Sequence, residues 1–151
     1  MPQGSASIVV NRQPAEVFQA LADVTRMGDW SPECTGGRWI DPATGPAVGA
    51  TFEGDNVAKA GPITLKSWTT TSEITEYEPD RIIEFLAAGQ TTWRYELEDR
   101  DGATSVTESF SHDPYQGWQK WVYGVLAQRE KAMVKGMQRT LARLKATLEA
   151  G

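Results

Sequence analysis

The sequence has few of the residues from which metal centres, disulfides and membrane spans are built. Its 151 residues include one cysteine, Cys34, and one histidine, His112. A single cysteine excludes an internal disulfide, and these two residues alone do not support a histidine-based zinc site. No apolar run approaches the roughly 18 residues of a membrane span, and the N-terminus lacks the apolar segment of a signal peptide. We therefore predict a cytoplasmic protein without a metal, a cofactor or stable membrane insertion.

Phosphate-binding loops and a basic overall charge are missing as well. Neither the GxGxxG pattern nor the P-loop pattern occurs. The formal net charge is −5, whereas nucleic-acid binding and adsorption to an anionic membrane both need an excess of lysine and arginine. The charge balance therefore predicts neither partner. One basic group of residues lies in the last predicted helix, and we interpret it as a solvated face: Lys131, Lys135, Arg139, Arg143 and Lys145.

Size and composition indicate one folded domain covering residues 1–151. Hydrophobic residues make up 40% of the chain and charged residues 23%, as in folded rather than disordered proteins. No repeat is visible, and the longest turn-rich stretch, Asp41–Gly49, is too short to separate two domains. Cys34 is interpreted as a small buried hydrophobe rather than a nucleophile, because no basic residue stands near it. Monomer and homodimer both stay open.

Local patterns predict a strand, two short helices, six further strands and one long helix. Ala6–Val10 is a predicted strand, Pro14 suits the first turn of a helix, and Val24–Asp29 suits a second helical turn that Pro32 ends. The other strands are predicted at Gly37–Ile40, Ala50–Val57, Leu65–Glu76, Ile82–Ala87, Thr92–Glu98 and Thr104–Phe110. Apolar residues at helical spacing predict the long helix from about Trp118 to Glu149.

The predicted strands alternate in a way that indicates one solvated and one covered face. Trp93, Tyr95 and Leu97 share one face of their strand, whereas the residues between them are charged. The long helix is the natural cover for that face. Polar residues are nevertheless mixed into the covered faces of several strands: Asn56, Thr70, Ser72 and Glu108. A close-packed core rarely contains such residues, so the pattern favours a partly hydrated cavity between sheet and helix.

Several short segments together resemble a known superfamily. They are Pro14–Phe18, Trp30–Pro32, Trp68–Pro79, Trp93–Leu97, Val106–Phe110 and Leu141–Lys145. In order and spacing they resemble the START-type superfamily, also called SRPBCC or helix-grip proteins, and most closely its small bacterial polyketide cyclase/dehydrase-like members. The resemblance covers essentially the whole chain. It implies an α+β helix-grip fold, in which a curved antiparallel sheet of about seven strands, two short helices and a long C-terminal helix enclose a deep cavity for an apolar or amphipathic molecule.

Glu108 is the ionisable residue with the most unusual predicted environment. Counting residues across the last hairpin places Tyr95 opposite Glu108 and Trp93 opposite Phe110. A carboxyl group on the covered face should lose hydration, and its pKa should rise unless hydrogen bonds offset the loss. Glu108, Tyr95 and His112 are therefore our candidate catalytic residues. The alternatives are a purely structural Glu–Tyr bond, a bulge that turns Glu108 outward, and a solvated histidine at a strand end.

The predicted ligand-binding residues face the covered side of the sheet or begin the long helix. They are Phe52, Asn56, Trp68, Thr70, Ser72, Phe85, Trp93, Tyr95, Glu108, Phe110, Trp118, Trp121, Val122 and Val125. Trp68 and Trp93 share their faces with hydroxyl-bearing residues, which favours a pocket over a packed core. Trp30 and Trp39 are interpreted as packing residues. Trp118 and Trp121 are expected either to guard the pocket opening or to anchor the helix start.

Three functions remain compatible with this sequence. The first is binding of a hydrophobic or amphipathic small molecule of polyketide, lipid or isoprenoid type. The second is an enzyme of cyclase, aromatase or dehydratase type that acts on a ketone-bearing substrate through the candidate catalytic residues. The third, implied only by the chaperone-activating members of the superfamily, is a modulator of a protein partner. It would need an exposed apolar patch, of which the sequence gives no sign.

Overall fold

The order of elements in the computed structural model is the order that the sequence predicts. The structure describes residues 3–31, 34–112 and 123–150. Its strands are β1 (Gln3–Val10), β2 (Cys34–Trp39), β3 (Thr51–Ala60), β4 (Ile63–Glu78), β5 (Ile82–Ala87), β6 (Thr91–Arg100) and β7 (Ala103–His112). Its helices are α1 (Pro14–Ala22), α2 (Met27–Trp30), which follows the 3-10 turn Val24–Arg26, and α3 (Tyr123–Ala150). The predicted helix start at Trp118 lies outside the described residues.

The described strands form one antiparallel sheet with the order β1-β7-β6-β5-β4-β3-β2. The predicted register of the β6–β7 hairpin is confirmed, since Tyr95 pairs with Glu108 and Trp93 pairs with Phe110. Asp101 and Gly102 between these strands both have positive φ, 57° and 93°, as a tight two-residue hairpin turn requires. Glu108 consequently points to the covered face and is buried, so no bulge turns it outward.

The C-terminal half of α3 covers part of the sheet. Met137, Leu141, Leu144 and Leu148 recur at helical spacing and are buried, and α3 packs against β1. Val17, Phe18 and Leu21 of α1 join the same hydrophobic core. Four of the five basic residues predicted to form a solvated face lie on the opposite side of α3 and are exposed: Lys131, Lys135, Arg139 and Arg143. The prediction is wrong for Lys145, whose ammonium group donates a hydrogen bond of 2.8 Å to the Val9 carbonyl of β1. Among the helices described here, none is long and apolar enough to cross a membrane.

The two short helical segments rest directly on β2 through glycines. A Cβ atom added at Gly37 would overlap the carbonyl oxygen of Val24, and one added at Gly28 would overlap the carbonyl oxygen of Thr35. Backbone therefore packs on backbone at these two positions, with no side chain between. This close approach holds the segment Val24–Trp30 against β2, at one side of the covered face.

We expect Gly37→Ala to destabilise the protein by about 1–3 kcal/mol, because the new methyl group would meet a backbone carbonyl that cannot rotate away. The matched control is Gly36→Ala, since a Cβ at Gly36 meets no atom within 4 Å. Urea denaturation of the three proteins measures the difference. Equal free energies of unfolding for the two variants would contradict the close-packing argument.

Candidate functional site

A cavity of about 840 Å³ lies between the sheet, the short helices and α3. Its size is within the usual range for small-molecule sites. Leu141, Leu144 and Leu148 of α3 pack into the core, whereas Ala132, Met133 and Gly136, further towards the N-terminus, line the cavity. On the other side, α2 contacts both β2 and α3 and so closes the cavity wall.

Nine of the side chains predicted to bind a ligand line this cavity. They are Phe52, Asn56, Trp68, Thr70, Ser72, Phe85, Trp93, Tyr95 and Glu108. They converge because β3, β4, β5, β6 and β7 are neighbours in the sheet and each places every second residue on the covered face. Their role in binding stays a prediction, since their position alone identifies no ligand.

The remaining predicted residues are placed differently. Phe110 is buried, but its ring packs 5.6 Å from the ring of Trp93 and occupies the space left by the missing side chain of Gly4. It therefore supports the cavity wall and is not among the lining residues. Trp118, Trp121 and Val122 lie outside the described residues. Val125 belongs to α3 and His112 ends β7, but the described part of the chain does not include their side chains.

Buried Glu108 and partly buried Tyr95 form a polar pair in the cavity wall. The Tyr95 hydroxyl donates a hydrogen bond of 2.7 Å to Glu108 Oε2. Burial raises the pKa of Glu108 to about 7, although the Tyr95 hydrogen bond acts in the opposite direction. The pKa of Tyr95 also lies well above its ordinary value, mainly because of burial and then because of the nearby Glu108 charge. Near neutral pH, Glu108 therefore exists both as an acid that can donate a proton and as a carboxylate that can accept one.

The second oxygen of Glu108 has no hydrogen-bond partner among the residues that the structure describes. Glu108 Oε1 is buried, and no donor among the residues that the structure describes reaches it. Other polar groups of the cavity bond to the protein itself: Asn56 Nδ2 donates to Thr70 Oγ1 at 3.0 Å, and Thr140 Oγ1 donates to the Gly136 carbonyl at 2.9 Å. Burying an unpaired carboxyl oxygen is costly, so Glu108 Oε1 is the atom most in need of a partner from inside the cavity.

Sequence reasoning missed several lining residues. Lys66 lines the cavity on the same face of β4 as Trp68. The alternation of that strand could therefore have predicted its position. Met133 and Met137 lie on the cavity side of α3, and Met137 belongs to the apolar stripe that predicted the helix. Gln90 lies in the β5–β6 turn and carries no periodic signal that would have placed it here.

Two residues interpreted as packing also line the cavity. Trp30 and Cys34 are both buried, as expected for packing, yet both reach the cavity surface. The Cys34 thiol donates to the Gly36 carbonyl at 3.2 Å, and burial raises its pKa, which agrees with an inert buried side chain. Trp39 packs edge-to-face on Phe52, with ring centroids 5.8 Å apart. Within the described ranges, no three histidine, cysteine or carboxylate side chains gather as metal ligands.

Comparison with known families gives a match along nearly the whole chain. The family model described as "Polyketide cyclase / dehydrase and lipid transport" matches residues 1–149. No curated protein sequence matches this chain.

Solved structures share the fold. The polyketide-cyclase-like protein Cgl2372 of Corynebacterium glutamicum is 30% identical with a TM-score of 0.70, over 99% of this chain and 94% of that one. The protein TTHA0849 of Thermus thermophilus is 14% identical with a TM-score of 0.68, over 99% and 98%. The di-domain aromatase/cyclase BexL of the BE-7585A biosynthetic pathway is 17% identical with a TM-score of 0.71, over 99% of this chain and 47% of that one.

We expect Glu108 to make the protein less stable as the pH rises. Its pKa is about 7 in the folded protein against an ordinary value of 4.5, so between these values the folded state holds a proton that the unfolded chain releases. The free energy of unfolding should therefore fall from about pH 4.5 to about pH 7, by on the order of 2–3 kcal/mol. Glu108→Gln cannot titrate and should lose this dependence.

Urea denaturation of wild type and Glu108→Gln across this pH range measures the effect as the difference between two curves. The matched control is Glu98→Gln, because Glu98 lies on the same hairpin but is exposed. Its curve should run parallel to that of the wild type. Parallel curves for Glu108→Gln and wild type would contradict the raised pKa.

Proposed function

This chain belongs to the polyketide cyclase / dehydrase and lipid transport family, and on that premise we propose that it binds a hydrophobic or amphipathic small molecule between its sheet and α3. The observation that carries the proposal is a cavity of about 840 Å³ with one buried carboxyl oxygen that lacks a partner among the described residues. An apolar wall supplies binding energy through burial, and a few polar groups set orientation.

The lining indicates the kind of molecule that fits. Aromatic side chains dominate the centre of the sheet, where Phe52 and Phe85 pack edge-to-face with ring centroids 5.2 Å apart beside Trp93. Such walls suit flat or extended apolar molecules of polyketide, lipid or isoprenoid type. At Glu108 the molecule would present a carbonyl oxygen to the neutral acid or a hydroxyl group to the carboxylate. The ligand is therefore apolar over most of its length, with a hydrogen-bonding group at Glu108.

Trp93→Phe is the substitution that separates a binding cavity from a packed core. Trp93 is only partly buried and lines the cavity, so we expect a loss of stability below about 2 kcal/mol. Affinity for an apolar fluorescent compound such as anilinonaphthalene sulfonate should fall, because the indole supplies contact area and an N–H donor. Native mass spectrometry of the gently purified wild type should in addition detect a co-purified ligand.

Trp39→Phe is the matched control, since Trp39 packs behind Phe52 rather than on the cavity surface. It should leave the affinity unchanged. A large loss of stability for Trp93→Phe together with unaltered affinity would mean that Trp93 belongs to an ordinary core. The same titration extends to a panel of apolar compounds of polyketide, lipid and isoprenoid type. Failure of every compound in this panel to bind would refute the proposed function.

A second candidate function is proton transfer to or from a bound ketone, as in a cyclase, aromatase or dehydratase. The observation that favours it is the pKa of Glu108 near 7, beside the Tyr95 hydroxyl. A general base works best when its pKa lies near the operating pH. Glu108 would remove a proton from the carbon next to the carbonyl group, and Tyr95 would keep the carboxyl oriented. Binding alone needs no such tuning, so the two functions are separable.

Glu108→Gln distinguishes the two functions. For a ketone-bearing ligand found in the compound panel, NMR can follow deuterium exchange at the carbon next to the carbonyl. If Glu108 is the base, Glu108→Gln should slow the exchange by roughly a hundredfold or more while the ligand still binds. Tyr95→Phe should slow it less, because Tyr95 acts through Glu108. Exchange at the wild-type rate in Glu108→Gln would remove Glu108 from any mechanism.

A further inference from the structure

The β3–β4 hairpin carries an exposed apolar tip, which we define as residues 61–69. Every residue of the tip is exposed, so this end of the hairpin projects from the body of the protein. Two large aliphatic side chains of the tip face solvent, Ile63 at 64% and Leu65 at 69% exposure. Exposure of one aliphatic side chain is ordinary, whereas two in a projecting tip form a patch that calls for an explanation.

The tip adjoins the opening of the cavity. Lys66 and Trp68 belong to the tip, line the cavity and are themselves exposed, so they stand where the cavity meets solvent. Leu65 is the extra residue of β4 at a shift in the β3–β4 pairing register, and it is exposed and not among the residues that line the cavity. The hairpin thus presents aliphatic side chains outward and a lysine and a tryptophan at the opening.

The local charge is opposite to that of the whole chain. Residues 57–72 contain two lysines, Lys59 and Lys66, and no aspartate or glutamate, although the chain has a net charge of −5. The Lys66 ammonium group lies 5.8 Å from the centre of the Trp68 ring. The overall charge led to the prediction that an anionic membrane is not a partner, but this region has the composition that such a surface attracts.

We propose that the hairpin tip docks on an anionic lipid surface and brings the cavity opening to that surface. Ile63 and Leu65 enter the apolar boundary of the lipid, Trp68 lies at the headgroup level where tryptophan is favoured, and Lys66 meets anionic headgroups. A second copy of the chain fits less well as the occupant. Stable protein interfaces use some 20–30 residues on each side, and a projecting tip of nine residues supplies far fewer.

The test measures binding of the full chain to lipid vesicles by co-sedimentation. We expect binding to vesicles that contain phosphatidylglycerol, weaker binding to pure phosphatidylcholine, and weaker binding again as salt is added. The double variant Ile63→Ser/Leu65→Ser should bind the phosphatidylglycerol vesicles at least about tenfold more weakly, because it loses most of the apolar surface that enters the lipid.

The matched control is Val9→Ser/Val48→Ser. It removes two other exposed aliphatic side chains, at 50% and 67% exposure, from β1 and from the turn at the opposite end of β3. This variant should bind vesicles with an affinity within about twofold of the wild type, because neither valine belongs to the hairpin tip. A twofold change in affinity corresponds to less than one RT of binding free energy. Circular dichroism and the anilinonaphthalene sulfonate titration verify that both double variants remain folded with an intact cavity.

Three outcomes would overturn the proposal. The first is that wild type does not bind phosphatidylglycerol vesicles, and the second is that both double variants lose binding equally. The third is sedimentation velocity showing that the wild type self-associates through the tip, with Ile63→Ser/Leu65→Ser monomeric and no lipid bound. Docking does not rest on ligand binding. Vesicle binding by a protein that binds no apolar compound would refute the proposed function alone. Binding of an apolar compound by a protein that does not bind vesicles would refute docking alone.

Discussion

The packing of one helix against one curved sheet is the constraint from which the other features follow. A single helix cannot cover the whole covered face, so α3 packs into the core from Leu141 onward and borders a cavity just before it. Leu141 and Leu144 are fully buried in the core beside β1 and α1, whereas Met133 and Gly136, which precede them in α3, border the cavity. The same helix therefore supplies core packing from Leu141 onward and a cavity wall with residues before Leu141.

This arrangement separates the close-packed core from the part of the molecule that contains the cavity. Close packing at the core makes substitutions there expensive, since each lost methylene leaves a void. The walls near Trp68 and Trp93 are only partly buried, so side chains there can change with a smaller effect on stability. The backbone contacts at Gly28 and Gly37 hold the short helices on β2. They therefore determine where Trp30 lies in the cavity wall.

The sequence predicted the fold well wherever a local pattern determines the geometry. The β6–β7 register followed from strict alternation around a two-residue turn, and it placed Glu108 beside Tyr95. The two strands of the β3–β4 hairpin were predicted too short at the end where they meet. Residues 61–69 are all exposed, so no alternation of buried and exposed residues marks the strand there. The sequence correctly placed Phe110 on the covered face. Its ring does not line the cavity because it packs into the space beside Gly4 and Val134, which are distant from Phe110 in sequence. The cavity volume depends on the distance between α3 and the sheet, which no sequence pattern encodes.

Glu108 connects these observations to function. If the cavity were only a packing defect in the core, an apolar residue at this position would make the protein more stable. A carboxyl group with one oxygen unpaired among the described residues loses its hydration without full compensation. Tyr95 satisfies the other oxygen and fixes the direction of the group, but no donor among the described residues reaches Oε1, in a side chain that lines the cavity. A hydrogen-bonding group on a bound molecule would remove that cost. If the protein binds a ligand as proposed, Glu108 would favour one with a complementary polar group, since a purely aliphatic ligand would leave this oxygen unpaired and bind more weakly.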